Sequence, residues 1–244
     1  MHSNPIYIGC AGWSIRKEYA EYFPEAGSHL ERYAQTFSGV EINSSFYRPH
    51  RPATYEKWAA SVPAAFRFAV KVPKQITHEL RLVNAVPALR LFLQEANSLG
   101  PKLGPLLVQL PPRLAFMEKE VAAFFAALRE LYSGHVVCEP RHETWFTPTA
   151  ERRLTEFHIA RVAADPALVE AAELPGGWSG LVYYRLHGSP RIYYSEYSEQ
   201  YLDALAGAVV EAARAAPVWC IFDNTAEGAA TANALSLRER IGAG

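Results

Sequence analysis

Eight apolar runs, rich in β-branched and aromatic residues and spread along the whole chain, constrain this sequence more than any other feature. They are Ile6–Cys10, Gly39–Ile42, Phe66–Val72, Leu106–Leu110, His135–Glu139, Ile159–Ala164, Leu181–Leu186 and Val218–Phe222. Most are continuous rather than alternating, the pattern of parallel strands covered on both faces. Between them the chain turns amphipathic. Leu30, Tyr33, Ala34 and Phe37 recur at the i, i+3, i+4, i+7 spacing of one helix face, and Val121, Phe124, Phe125 and Leu128 do the same. Longer helical patterns run over 199–215 and 226–241. Ser28 and Thr147 are expected N-caps, the latter with Pro148 at the first helical position. Strand and helix alternating in this way predict an α/β fold, a single (β/α)8 TIM-type barrel forming one domain over residues 1–244. A doubly wound open sheet is the rival, but it would offer fewer strands or a phosphate-binding glycine loop. Nothing matches G-x-G-x-x-G, the P-loop, H-E-x-x-H or C-x-x-C.

Half of the residues are hydrophobic, enough for a large core, and the formal net charge is only −1. That balance disfavours an extended nucleic-acid surface without excluding a small basic pocket. The three cysteines, Cys10, Cys138 and Cys220, are far apart, and each lies in a strand-like run. They read as buried free thiols of a reducing compartment. No stretch approaches the ~18 apolar residues of a membrane span, so no membrane partner is expected. The start, Met1-His2-Ser3-Asn4-Pro5, lacks a basic segment followed by an apolar one, and a cytoplasmic location is expected.

In a barrel of this kind the C-terminal ends of the strands converge on the axis. Those positions are unusually polar here. The second run ends in Glu41-Ile42-Asn43-Ser44-Ser45-Phe46-Tyr47-Arg48, the third carries Lys71, and the fourth Gln109. The fifth leads into Glu139-Pro140-Arg141-His142, the sixth to Asp165, the seventh to Arg185 and His187, and the eighth to Asp223-Asn224-Thr225. A lone carboxylate at a strand end is more often a cap or an ion-pair partner than a catalyst. So many ends carrying such groups point to mutual compensation or to a ligand. Period-two alternation places Glu139 and Arg141 on one face and Arg185 and His187 on another, with Cys138 turned away. The loops add aromatic rings, among them Trp13, Tyr19, Phe23, Phe46, Tyr47, Trp145, Phe146, Tyr193, Tyr194 and Tyr197, suited to stacking on sugars or bases or to packing over the rim.

These residues carry a resemblance. Gly9-Cys10-Ala11-Gly12-Trp13-Ser14, Val40 to Tyr47, Lys71-Val72-Pro73 with Thr77-His78, Gln109-Leu110-Pro111-Pro112, Glu139-Pro140-Arg141-His142, Arg185-Leu186-His187-Gly188 and Phe222-Asp223-Asn224-Thr225 follow in the order of the domain of unknown function 72, or YecE-like, family. The resemblance spans nearly the whole chain and implies a TIM-type barrel and site positions, but no reaction. Asp223 stands where that family's pattern usually has asparagine, and Ser45 where it usually has threonine.

Three functions compete. The first is a hydrolase, lyase or isomerase using acid–base chemistry on an anionic, phosphorylated sugar or nucleotide-like substrate. Glu41 and Glu139 are its candidate bases, and His187 is its acid. Lys71, Arg141 and Arg185 would hold the anion, with Trp13, Asn43, Tyr47, Gln109, His142 and Asn224 as further binding residues. The second is a metal-assisted phosphodiesterase or isomerase with Glu41, Glu139, Asp165 and His187 as ligands, opposed by the nearby cations. The third is a non-catalytic binder of a small anion or of nucleic acid. No cofactor and no resident metal are expected. If the charges are kept for a ligand, Arg185→Met should leave the fold intact and its melting temperature unchanged or raised.

Overall fold

A computed structural model describes residues 4–242. Its strands are β1 (Ile6–Cys10), β2 (Gly39–Ile42), β3 (Arg67–Lys71), β4 (Leu103–Gln109), β5 (Val136–Glu139), β6 (Ile159–Arg161), β7 (Ala163–Asp165), β8 (Gly176–Gly177), β9 (Val182–Leu186) and β10 (Val218–Phe222). Its α-helices are α1 (His29–Thr36), α2 (Pro52–Ala60), α3 (Val86–Ala96), α4 (Glu118–Leu131), α5 (Pro148–Glu156), α6 (Glu199–Ala212) and α7 (Ala229–Gly242). Local chemistry sets several of these ends. Ser28 caps α1 in a capping box with Glu31, and Thr147 accepts a bond from the Ala150 amide ahead of Pro148 in α5.

The strands form a mixed α/β fold with two sheets, ordered β1-β10-β9-β7 and β2-β3-β4-β5-β6-β8, and every pairing is parallel except the short β6–β8 contact. One closed eight-stranded sheet is not what the hydrogen bonds draw, for two local reasons. At the β1–β2 seam, side chains stand in for the ladder. Ser38 Oγ accepts from the Ile8 amide at 3.0 Å, and Tyr33 Oη accepts from the Cys10 amide at 2.7 Å. The backbones resume contact only beyond the seam, where Gly12 N–H donates to the Glu41 carbonyl at 2.9 Å. At the second seam, the run 159–165 is split around Val162. Its first half pairs with β5 and its second half with β9, so each half has one neighbour in its own sheet.

The sixth strand–helix unit also departs from the sequence expectation. Between β7 and β9 there is only a short 3-10 turn (Glu170–Ala172) and β8, with no α-helix. Pro166, Pro175, Gly176, Gly177 and Gly180 crowd that segment and oppose helix formation.

Two separate apolar cores result. The larger one joins alternate strand residues, such as Val40, Val70, Cys138, Leu186 and Phe222, to the buried faces of α1–α7. The smaller is built from the opposite strand face, with Ala69, Leu107, Val137, Ala160, Val162, Tyr183, Trp219 and Ile221. Continuous apolar strands are therefore apolar on both faces because each face meets its own core. The three cysteines are buried and free. Among the described residues no helix is long and apolar enough to cross a membrane.

Candidate functional site

The strand face that supplies the smaller core becomes charged one or two positions later. Ala69 is followed on that face by Lys71, Val137 by Glu139, Tyr183 by Arg185 and His187, and Ile221 by Asp223. Glu41 of β2 joins them, and all six side chains are buried.

Arg185 is the hub. Its guanidinium makes a two-armed pair with Glu41, Nε to Oε2 at 3.0 Å and Nη2 to Oε1 at 2.8 Å. It also reaches Glu139 at 3.0 Å and Asp223 at 2.9 Å. Burial works against its charge, but the carboxylates of Asp223, Glu41 and Glu139 outweigh it and raise the Arg185 pKa well above its ordinary value. Tyr183 hydroxyl donates to Glu41 Oε2 at 2.9 Å, so both oxygens of that carboxylate are engaged.

His187 lies between two carboxylates. Its Nδ1 is 3.0 Å from Asp223 Oδ2 and its Nε2 is 2.9 Å from Glu139 Oε1, while Arg141 Nη2 approaches Nε2 at 2.7 Å. Arg141 also pairs with Glu139 at 2.5 Å. Burial alone would raise the Glu139 pKa, yet Arg141, Arg185 and His187 together hold it well below the usual carboxylate range. Asp223 follows the same logic, with burial opposed by Arg185 and His187 and a net lowering.

Lys71 differs from the other cations. Its Nζ lies 4.2 Å from the centre of the Phe46 ring and forms no ion pair among the described residues. Burial, then the nearby Arg185 charge, lower its pKa to about 8. Ser45 Oγ sits 2.6 Å from the Lys71 carbonyl oxygen and pins the main chain there.

The remaining sequence candidates divide. Gln109 is half-buried and in register with Glu139 across β4 and β5. Asn224 donates to the Ser195 carbonyl and to Asn233 Oδ1, both at 2.9 Å, and so anchors the loop after β9. His142 binds Thr144 through Nδ1 at 3.0 Å, a local loop contact. Trp13 packs edge-on against Trp58, and Tyr47 is 69% exposed. Trp145, Tyr197 and Phe23 of the aromatic set are core residues rather than rim residues. Asp165 lies off the charged face, since Ala160, Val162 and Ala164 occupy the inner one, and it receives the Tyr197 hydroxyl at 2.8 Å. The proposed metal set of Glu41, Glu139, Asp165 and His187 is therefore not brought together. Tyr183 and Phe46 are contacts the sequence reasoning missed as partners, and Asp223 had no assigned role. For Tyr183 the signal was its shared parity with Arg185.

Among the described residues, four buried side-chain atoms have no protein hydrogen-bond partner: Asn43 Oδ1, Arg141 Nε, Asn224 Oδ1 and Tyr55 Oη. Three of the four belong to residues at the C-terminal ends of β2, β5 and β10.

The model of the family described as "Protein of unknown function DUF72" matches residues 7–244. The chain belongs to the DUF72 family. Among its relatives, the UPF0759 protein YecE of Escherichia coli (strain K12) is 30% identical over 173 residues, covering 68% of this chain and 61% of YecE. The UPF0759 protein YunF of Bacillus subtilis (strain 168) is 30% identical over 162 residues, covering 62% of this chain and 56% of YunF. The matched stretch thus spans about six-tenths of those relatives. Two solved DUF72 structures share the fold. One, from Enterococcus faecalis V583, superposes with a TM-score of 0.82 at 22% identity, covering 97% of this chain and 95% of that one. The other, from Thermotoga maritima MSB8, gives 0.80 at 25% identity, covering 98% and 100%.

Proposed function

We propose that this DUF72 protein is an acid–base enzyme acting on a small, hydroxylated anion, such as a phosphorylated sugar, bound over the charged strand ends. The observation that carries this reading is the set of buried atoms without partners. An unmatched buried donor or acceptor costs about 1–3 kcal/mol, a cost a ligand removes by supplying the partner. Arg141 Nε and the unpaired Lys71 ammonium call for an anionic acceptor, while Asn43 Oδ1, on the same strand face as Glu41, calls for a hydroxyl donor. A hydroxylated anion offers both.

On this reading Lys71 and Arg141 hold the anion. Arg185, bound to three carboxylates, and Glu41, bound by Arg185 and Tyr183, hold the frame. His187, between Asp223 and Glu139, handles the proton, with Glu139 its exchange partner. The two sheets act as one domain, a (β/α)8 barrel of the TIM type. The smaller core, built almost entirely from strand residues, fits its interior. Buried free thiols suit a reducing, cytoplasmic setting.

A thermal-shift series at low ionic strength tests the reading. Ribose 5-phosphate at ~100 times its Kd stabilises by about 2.7 kcal/mol, or about 5–10 °C for a domain of this size. Ribose should do far less, and a Lys71→Met, Arg141→Met variant that still folds should lose the response. Equal shifts from ribose and its phosphate, or an unchanged double variant, would refute the anion site. Consumption of a stabilising ligand by the wild type, and not by His187→Gln, separates an enzyme from a binder.

A further inference from the structure

We propose that the Lys71 amine forms an imine with the carbonyl carbon of a hydroxylated, anionic aldehyde or ketone. This rests on the anion-binding reading above and narrows its substrate class to carbonyl compounds: Arg141, through its unpartnered Nε, keeps the anionic group, and the Lys71 nitrogen, once it loses its proton, meets the carbonyl.

Lys71 closes β3 on the charged face, and only 5% of its surface is exposed. Every other cation of the cluster is paired with a carboxylate. Arg185 binds Glu41, Glu139 and Asp223, and Arg141 binds Glu139 and His187. Lys71 has a ring beneath its nitrogen instead of a carboxylate, and its main chain is fixed by Ser45 and by the Val72 amide bonded to Leu107. A lysine held this way is rigid, poorly solvated and free to react. With its pKa at about 8, roughly a quarter of Lys71 is the neutral nucleophile at pH 7.5, against about one in a thousand for an ordinary lysine.

The chemistry balances without a further reagent. The Nζ lone pair attacks the carbonyl carbon, a C–N bond forms, and the C=O π electrons pass to oxygen. That oxygen takes up both amine protons in turn and leaves as water, giving a neutral imine. One proton from solvent converts it to the iminium cation. The carboxylates of Glu41, Glu139 and Asp223 already favour positive charge on Lys71, and they would favour the iminium for the same reason.

The test is reductive trapping on the intact protein with glyceraldehyde 3-phosphate or glyceraldehyde and cyanoborohydride, followed by peptide mass mapping. Lys57 and Lys119 are exposed and serve as internal references. At pH 7.5 the phosphorylated aldehyde should label Lys71 at least ten-fold faster than either. The Lys71 rate should level off above about pH 9. Labelling of Lys71 no faster than of Lys57 and Lys119 would overturn the imine, and a ribose 5-phosphate thermal shift alongside that result would leave the anion site standing. Equal labelling of Lys71 by glyceraldehyde and its phosphate would keep the imine and remove the anion site.

Discussion

Arg185→Met tests the cluster most directly. Arg185 is fully buried and is the shared partner of Glu41, Glu139 and Asp223 at 2.8, 3.0 and 2.9 Å. Methionine fills similar space but removes the charge, leaving three carboxylates with only Arg141, Lys71 and His187 nearby. Breaking a buried pair by removing one partner costs about 3–5 kcal/mol. In a chain of this size that is a fall in melting temperature of about 10 °C. The geometry thus reverses the sequence-based expectation that the arginine is removable. The pH dependence adds a second check. In the wild type Glu139 and Asp223 have lowered pKa values, so their stabilising contribution is complete above the unfolded carboxylate pKa and is lost as pH falls below about 4. In the variant Glu139 and Asp223 lose the guanidinium that offset their burial, and burial then raises them. The folded variant then binds more protons than its unfolded chain as pH drops from 7 to 5, so its deficit shrinks over that window. Urea denaturation of both proteins at pH 7 and pH 5 reads both effects. A variant as stable as the wild type at pH 7, or a deficit that grows toward pH 5, would refute the account of Arg185 as hub.

Lys71→Met should do the opposite and stabilise the protein at pH 7. A shift from 10.5 to about 8 means that burying the ammonium costs about 3 kcal/mol below pH 8, partly offset by ~1 kcal/mol from its ring contact. Between pH 8 and 10.5 the unfolded lysine still holds a proton that the folded one has lost, so wild-type stability rises and the variant's advantage fades; an equal advantage at pH 7 and pH 10 would refute this. Gly9→Ala should cost about 3 kcal/mol, because its Cβ would lie 1.9 Å from the Gly39 carbonyl oxygen at the β1–β2 seam, where backbone rather than a flexible side chain must move. An unchanged denaturation midpoint would show that the seam is looser than its side-chain bridges imply.

The strands were legible because a run covered on both faces must be apolar throughout, and β1, β2 and β10 fall where the runs do. The caps of α1 and α5 were legible for a similarly local reason. The seams were not. That Ser38 and Tyr33 replace the β1–β2 ladder depends on how closely two distant glycine-bearing strands approach, which no local pattern reports. The missing sixth helix has a local signal in the Pro and Gly residues of 166–180, which an eight-fold alternation of strand and helix does not contain. Asp165 needed knowledge of which face of its strand points inward.

The cluster's partners were legible in type but not in pairing, and the pairing decides which cations remain available. Glu41, Glu139 and Asp223 supply three negative charges, and Arg141, Lys71 and Arg185 supply three positive ones. Equal numbers would permit three separate pairs, each leaving its cation equally shielded. Instead a single guanidinium, with its planar fork of donors, takes all three carboxylates, and Arg141 shares one of them. That concentration leaves Lys71 with no ion-pair partner among the described residues, inside a nearly neutral cluster. An anion drawn to Arg185 would have to displace three carboxylates, each hydrogen-bonded elsewhere as well. One drawn to Lys71 displaces none, and it meets Arg141 through the guanidinium nitrogen that has no partner. The two cations that sequence composition made equivalent to Arg185 are thereby separated from it, by which strand ends the fold sets side by side.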